Sequence, residues 1–85
     1  MTTLDTIPMC ATYVVHDIAA PAHAPEWAQW LEEIGFIHGE RVSVLARGMP
    51  GGEPLMVRVG MSTFALRLAE AACIRVFPLE PAQAR

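Results

Sequence analysis

The spacing of apolar residues changes period along this chain. Residues 11–18, "ATYVVHDI", concentrate β-branched and aromatic side chains and predict a first strand. "AAPAHAP" then stops it. From Trp27 the period lengthens: Trp27, Trp30, Leu31 and Ile34 fall at i, i+3, i+4 and i+7, one stripe of a 3.6-residue helix. Pro25 suits the first helical position, where its missing N–H costs nothing. Ala24 would then be a poor N-cap, so the first turn is expected to fray. The glutamates, with no base in the last turn, oppose the helix dipole, so packing must hold the helix.

Two glycines follow. Gly35 comes directly after the stripe, where a helix commonly ends on a residue of positive φ. With Ile34 as the cap, Phe36 should fold back onto Leu31. Gly39 in "IHGE" sits where a type II turn needs positive φ. After it the period is two. Residues 41–47 alternate Val42, Val44 and Ala46 with Arg41, Ser43, Leu45 and Arg47. "GMPGGEP" is a loop. "LMVRVG" alternates Leu55, Val57 and Val59 with Met56 and Arg58, and Gly60-Met61-Ser62 reverses the chain. "TFALR" directs Phe64 and Leu66 inward. "LAEAA" makes a helical turn, and "CIRVF" is a last strand with Ile74 and Val76 inward. The expected fold is mainly β: a small barrel of about five strands, closed so that no sticky edge remains, with one helix after strand one. Residues 79–85 read as a tail.

Length and composition narrow the function. Eighty-five residues make one domain, residues 1–85, with a thin core. With 53% hydrophobic and 18% charged residues the chain is globular. A net charge of −3 argues against nucleic acid as a partner. No run approaches the roughly 20 apolar residues of a membrane span. "MTTLDTI" lacks a signal-peptide pattern, and two cysteines, Cys10 and Cys73, are too few for a disulfide scaffold. A cytoplasmic location with reduced thiols is expected. All six basic residues are arginine. Glu26, Glu32 and Glu33 crowd the helix while Arg41, Arg47, Arg58, Arg67 and Arg75 fall among the strands, which suggests an acidic and a basic side.

No catalytic constellation is present, and no enzyme is expected. "GMPGGEPL" lacks the Lys-Ser/Thr end of a phosphate-binding loop. Metal chemistry has candidates in His16, Asp17, His23, Glu26, His38, Cys10 and Cys73. His16, His23 and Glu26 are weak ones, the last two sharing a helical i, i+3 spacing; no HExxH or CxxC fixes a site. Contact residues are the other possibility. Trp27 is expected in the core. Trp30 lies at the edge of the stripe and is a candidate contact residue, with Met49 and Pro50 in the long loop and Met56 and Arg58 on the outward strand face.

The order of motifs resembles the ferrous iron transport protein A family, the FeoA domain. The match rests on Ile34-Gly35-Phe36, His38-Gly39, Gly52-Glu53-Pro54-Leu55, Ala65-Leu66-Arg67 and Glu70-Ala71, with "LDTI" at 4–7 as the opening Leu-x-x-Leu. It covers nearly the whole chain. Some positions depart from the family pattern. His38 stands where proline is frequent, Glu53 replaces aspartate, Met9-Cys10 falls where a glycine is usual, Trp30 takes a basic position, and the helix is acidic rather than basic. The resemblance implies an SH3-like barrel and a cytoplasmic accessory protein of bacterial ferrous iron uptake. The implied partner is the cytoplasmic domain of the GTP-binding membrane transporter FeoB. No cofactor is required on this reading, though a regulatory or adventitious divalent metal (Fe or Zn) and a homo-oligomer are compatible with it. Two alternatives stand beside it: a metal-responsive regulatory module, and an SH3-like adaptor for proline-rich peptides, for which Tyr13, Phe64 and Phe77 are the strand aromatics.

Overall fold

The computed structural model describes residues 2–79. Five strands, β1 (Tyr13–Ile18), β2 (Arg41–Arg47), β3 (Leu55–Val59), β4 (Ser62–Leu66) and β5 (Ile74–Pro78), form one antiparallel sheet in the order β4-β3-β2-β1-β5. Helix α1 (Glu26–Glu33) joins β1 to β2, and α2 (Leu68–Ala71) joins β4 to β5. The expected mainly-β fold is what forms, but the sheet does not close: among the described residues no ladder joins β4 to β5. Five strands of five to seven residues are too short to wrap fully around a core that a helix already covers. The outer edge of β5 is covered by the N-terminal segment, where Thr3 bridges Arg75 and the Val76 N–H donates to the Thr2 carbonyl at 2.9 Å. The expected tail, beyond Leu79, lies outside the described residues.

The inward rows make the core. Val15, Val42, Val44, Leu55, Val57, Val59, Leu66, Ile74 and Val76 are all buried in one cluster with Leu31 and Phe36. Leu4 and Ile7 join it at 0% and 2% exposure, carried on a 3₁₀ turn over Leu4–Thr6. That turn had no periodic signal, because it is shorter than one helical repeat. Arg47 holds it: its Nη2 donates to the Asp5 carbonyl at 2.9 Å and to the Ile7 carbonyl at 3.0 Å.

Helix α1 ends as its glycine predicts. The Phe36 N–H donates to the Leu31 carbonyl at 3.0 Å and the Gly35 N–H to the Glu32 carbonyl at 3.1 Å, with Gly35 at φ +126°. These are the two bonds of a Schellman cap, and Leu31 and Phe36 meet in the core beside it. Its start differs by one residue: Pro25 itself is the N-cap, no side chain caps the turn, and Ala24 is buried. Trp27 is only partly buried and packs on the core from its rim.

One face assignment is corrected. Ala46 is exposed rather than in line with Val42 and Val44, because a bulge shifts the β2–β3 register between Val44 and Ala46. An extra residue in one strand reverses the side-chain alternation beyond it, and Arg47 is thereby aimed at the N-terminal turn.

Candidate interaction surface

The outward face of the sheet is built from register. Arg58 lies between Ser43 on β2 and Thr63 on β4, and Met56 between Ala46 and Ala65. Short neighbours on both sides leave these two long side chains standing clear, and both are exposed. On the neighbouring strands Val14 is flanked by Phe77 and Arg41. Thr12, Arg41, Ser43, Arg58 and Leu79 line an open depression of ≈ 370 Å³, which pairs two guanidinium-bearing residues with two hydroxyls. A second depression of the same volume runs along Val14, His38, Arg41 and Phe77.

The loop over residues 48–54 rises from the far end of β2 and β3. Its neck is tight: the Gly48 N–H donates to the Pro54 carbonyl at 2.9 Å, and a Cβ on Gly48 would lie 2.0 Å from the Glu53 carbonyl oxygen. Glu53 also anchors it to α2, its Oε1 accepting from the Leu68 N–H at 2.6 Å. Glu70 in turn accepts from the Arg67 N–H at 2.8 Å, capping that short helix. Met49 and Pro50 sit at the exposed tip.

The suggested contact residues therefore divide. Met56 and Arg58 share one face, Met49 and Pro50 belong to a loop at its end, and Trp30 lies on α1 and is 38% exposed. Met9, Ile37 and Met61 are exposed apolar residues that periodicity had not singled out. Each lies at a bridge, at the start of a turn or at a hairpin tip, where alternation gives no side.

The arginines also divide. Arg47 is committed to backbone carbonyls and Arg75 to Asp17, through two guanidinium nitrogens. This bond and the arginine's charge hold the Asp17 carboxyl at about 2, below its ordinary 3.8. The Arg75 guanidinium is pushed up by the same partner. Arg41, Arg58 and Arg67 are exposed, as are Glu26, Glu32 and Glu33 on α1. The acidic residues thus sit on α1, and Arg41 and Arg58 on β2 and β3.

Among the described residues no three His, Cys, Asp or Glu side chains are grouped to hold a metal ion, so His16, His23 and Glu26 do not form one site. Instead His23 packs edge-on against Trp27, and His16 lies beside His38. Cys10 is exposed and Cys73 buried, both free. Burial pushes the Cys73 thiol up in pKa. Cys10 is the one non-glycine residue of positive φ among those described, at 67°, and it stands where the family pattern has glycine nearby.

Fold and surface together define a small SH3-like β-domain with a basic, methionine-bearing outer sheet face. Among the described residues no helix is long and apolar enough to cross a membrane. The FeoA domain family matches residues 2–78, and the chain belongs to that family, which is associated with ferrous iron transport. The crystal structure of Stenotrophomonas maltophilia FeoA complexed with zinc, a procaryotic SH3 domain protein, is 39% identical over 89% of each chain, with a TM-score of 0.81. FeoA of Chlorobium tepidum is 25% identical over 93% of this chain and 71% of that one, with a TM-score of 0.75. The manganese regulator SloR shares the fold alone, at 14% identity over 91% of this chain and 34% of its own, with a TM-score of 0.69. No curated protein matches the chain.

Proposed function

We propose that this chain is a non-enzymatic cytoplasmic accessory of bacterial ferrous iron uptake that acts by contact with the cytoplasmic domain of the GTP-binding transporter FeoB. Family membership supplies the pathway, and its Stenotrophomonas relative has been put forward as a ferrous iron transport activating factor. The observation that carries the contact reading is the outward face of β3. Met56 and Arg58 project between small neighbours on the outer sheet face, an apolar and a cationic anchor side by side. Methionine and arginine are enriched at interfaces, and exposed, well-framed anchors carry most of the binding energy where they occur.

A domain of this size can regulate a transporter only by binding one of its states better than another. Each factor of ten in population needs about 1.4 kcal/mol, which a small interface supplies. Copurification with the transporter's cytoplasmic domain, with and without guanine nucleotide, tests this. Capture is expected, stronger in one nucleotide state and weakened at least tenfold by Met56→Ala with Arg58→Glu. Equal, negligible capture in both states would end the proposal.

The adaptor alternative fits less well. Tyr13 and Phe64 are half-buried against the core, and Phe64 lies against Phe36 at 6.4 Å between ring centres, so two of the three strand aromatics are engaged in packing.

A further inference from the structure

We infer that His16 and His38 form a two-imidazole site for a divalent transition metal of the zinc type. The residues lie 22 positions apart, on β1 and on the turn between α1 and β2. The fold sets their ring centres 5.8 Å apart, edge to face. Two imidazoles bound through nitrogen to one ion, at about 2.0–2.1 Å and a tetrahedral angle, have their centres roughly 5 Å apart. The observed 5.8 Å is close to that spacing.

The protonation pattern is already set for binding. His38 Nδ1 lies 2.8 Å from the His16 carbonyl oxygen. A carbonyl only accepts, so Nδ1 carries the proton and Nε2 of the neutral ring holds the lone pair. His16 Nδ1 is shut off from water, and the atom it faces is Asp17 Oδ1 at 3.3 Å. That separation is long for a hydrogen bond, but the carboxylate, fixed by Arg75, still favours a proton on Nδ1. Both rings therefore present Nε2. An imidazole whose other nitrogen donates to a carbonyl or a carboxylate is the usual arrangement at protein metal sites. Phe77 closes one side of His16, with ring centres 6.2 Å apart. Asp17 is held by Arg75 and belongs to this outer layer, so among the described residues two protein ligands meet here.

His38 is at the second position of the turn Ile37-His38-Gly39-Glu40, closed by a 3.0 Å bond from the Glu40 N–H to the Ile37 carbonyl. Proline suits that position, so His38→Pro removes the imidazole and keeps the turn. The test is calorimetric titration of the whole chain with Zn²⁺, together with ¹⁵N spectra of the imidazole nitrogens. Micromolar binding is expected, with both Nε2 resonances shifted. His38→Pro and His16→Gln should each weaken binding at least tenfold, and His23→Gln should leave it unchanged. No heat at micromolar zinc, wild-type affinity in the folded His38→Pro chain, or loss of binding in His23→Gln would overturn the site. None of these outcomes bears on contact with the transporter.

Discussion

Met56 and Val57 are neighbours in sequence and opposites in consequence. Val57 is fully buried between Val44 on β2 and Phe64 on β4. Met56 looks outward between two alanines and is 40% exposed. The inner row was chosen by packing: residues of similar shape fill a thin layer, and little else could replace them. The outer row is not explained by stability. A long apolar side chain framed by methyl groups, next to an arginine framed by hydroxyls, contributes nothing to the fold that a shorter polar residue would not. The difference separates what holds the molecule from what the molecule offers to others.

The contrast can be broken most sharply at the core. Phe36→Ala should cost about 3–5 kcal/mol, since it empties the centre of the cluster and removes the contact that closes the α1 cap. Met56→Ala should change stability by no more than about 0.5 kcal/mol. Denaturant melts of the two variants measure this; similar losses would erase the distinction between the faces.

Next in size is the turn that leads into β2. Gly39 has φ +89° with nothing near its absent Cβ, so the barrier to substitution is backbone strain and not crowding. Gly39→Val should lose about 1–3 kcal/mol, read from the shift in denaturant midpoint.

An opposite sign is expected at Cys10. Its left-handed backbone is costly for a side chain and cheap for glycine. Cys10→Gly should therefore raise stability, by about 0.5–1 kcal/mol, measurable in the same melts.

The smallest effect is electrostatic. Arg75 depresses the Asp17 carboxyl to about 2 from 3.8. In acid the unfolded chain therefore takes up this proton first. The ion pair's contribution is complete above the unfolded value and is lost as pH falls from near 3.8 towards 2. Both side chains are 38–40% exposed, so water screens the pair and the change in stability is slight. Carboxyl NMR titration should place the Asp17 midpoint near 2, and Arg75→Gln should return it towards 3.8.

Much of this fold was legible locally. The strand rows, the cap at Gly35 and the turn at Gly39 depend on neighbours within a few positions, and short-range pattern reports them. The bulge beyond Val44 was not legible: it is defined by pairing with β3, and "RVSVLAR" carries no glycine or proline to mark it. The N-terminal turn was missed for a similar reason. Leu4 and Ile7 become core through long-range anchors: Thr2 and Thr3 pair with β5, and Arg47, forty positions on, supplies partners for the carbonyls of Asp5 and Ile7. The expected closed barrel failed because closure depends on strand length and on what covers the edges, which alternation does not encode. On the outer face, exposure of Met56 and Arg58 followed from alternation, but the small residues framing them appear only once the strands are in register. His16 and His38 were both candidate ligands, and only the tertiary fold makes them neighbours.

The most direct measurement is a chemical-shift map of the ¹⁵N-labelled chain titrated with the transporter's cytoplasmic domain. The expected result is a contiguous set of perturbed amides on the outer sheet face, centred on Met56, Arg58 and their partners Ser43, Thr63 and Ala65, with α1 unaffected. Perturbations confined to α1 and Trp30, or no saturable perturbation at all, would contradict the assignment of that face.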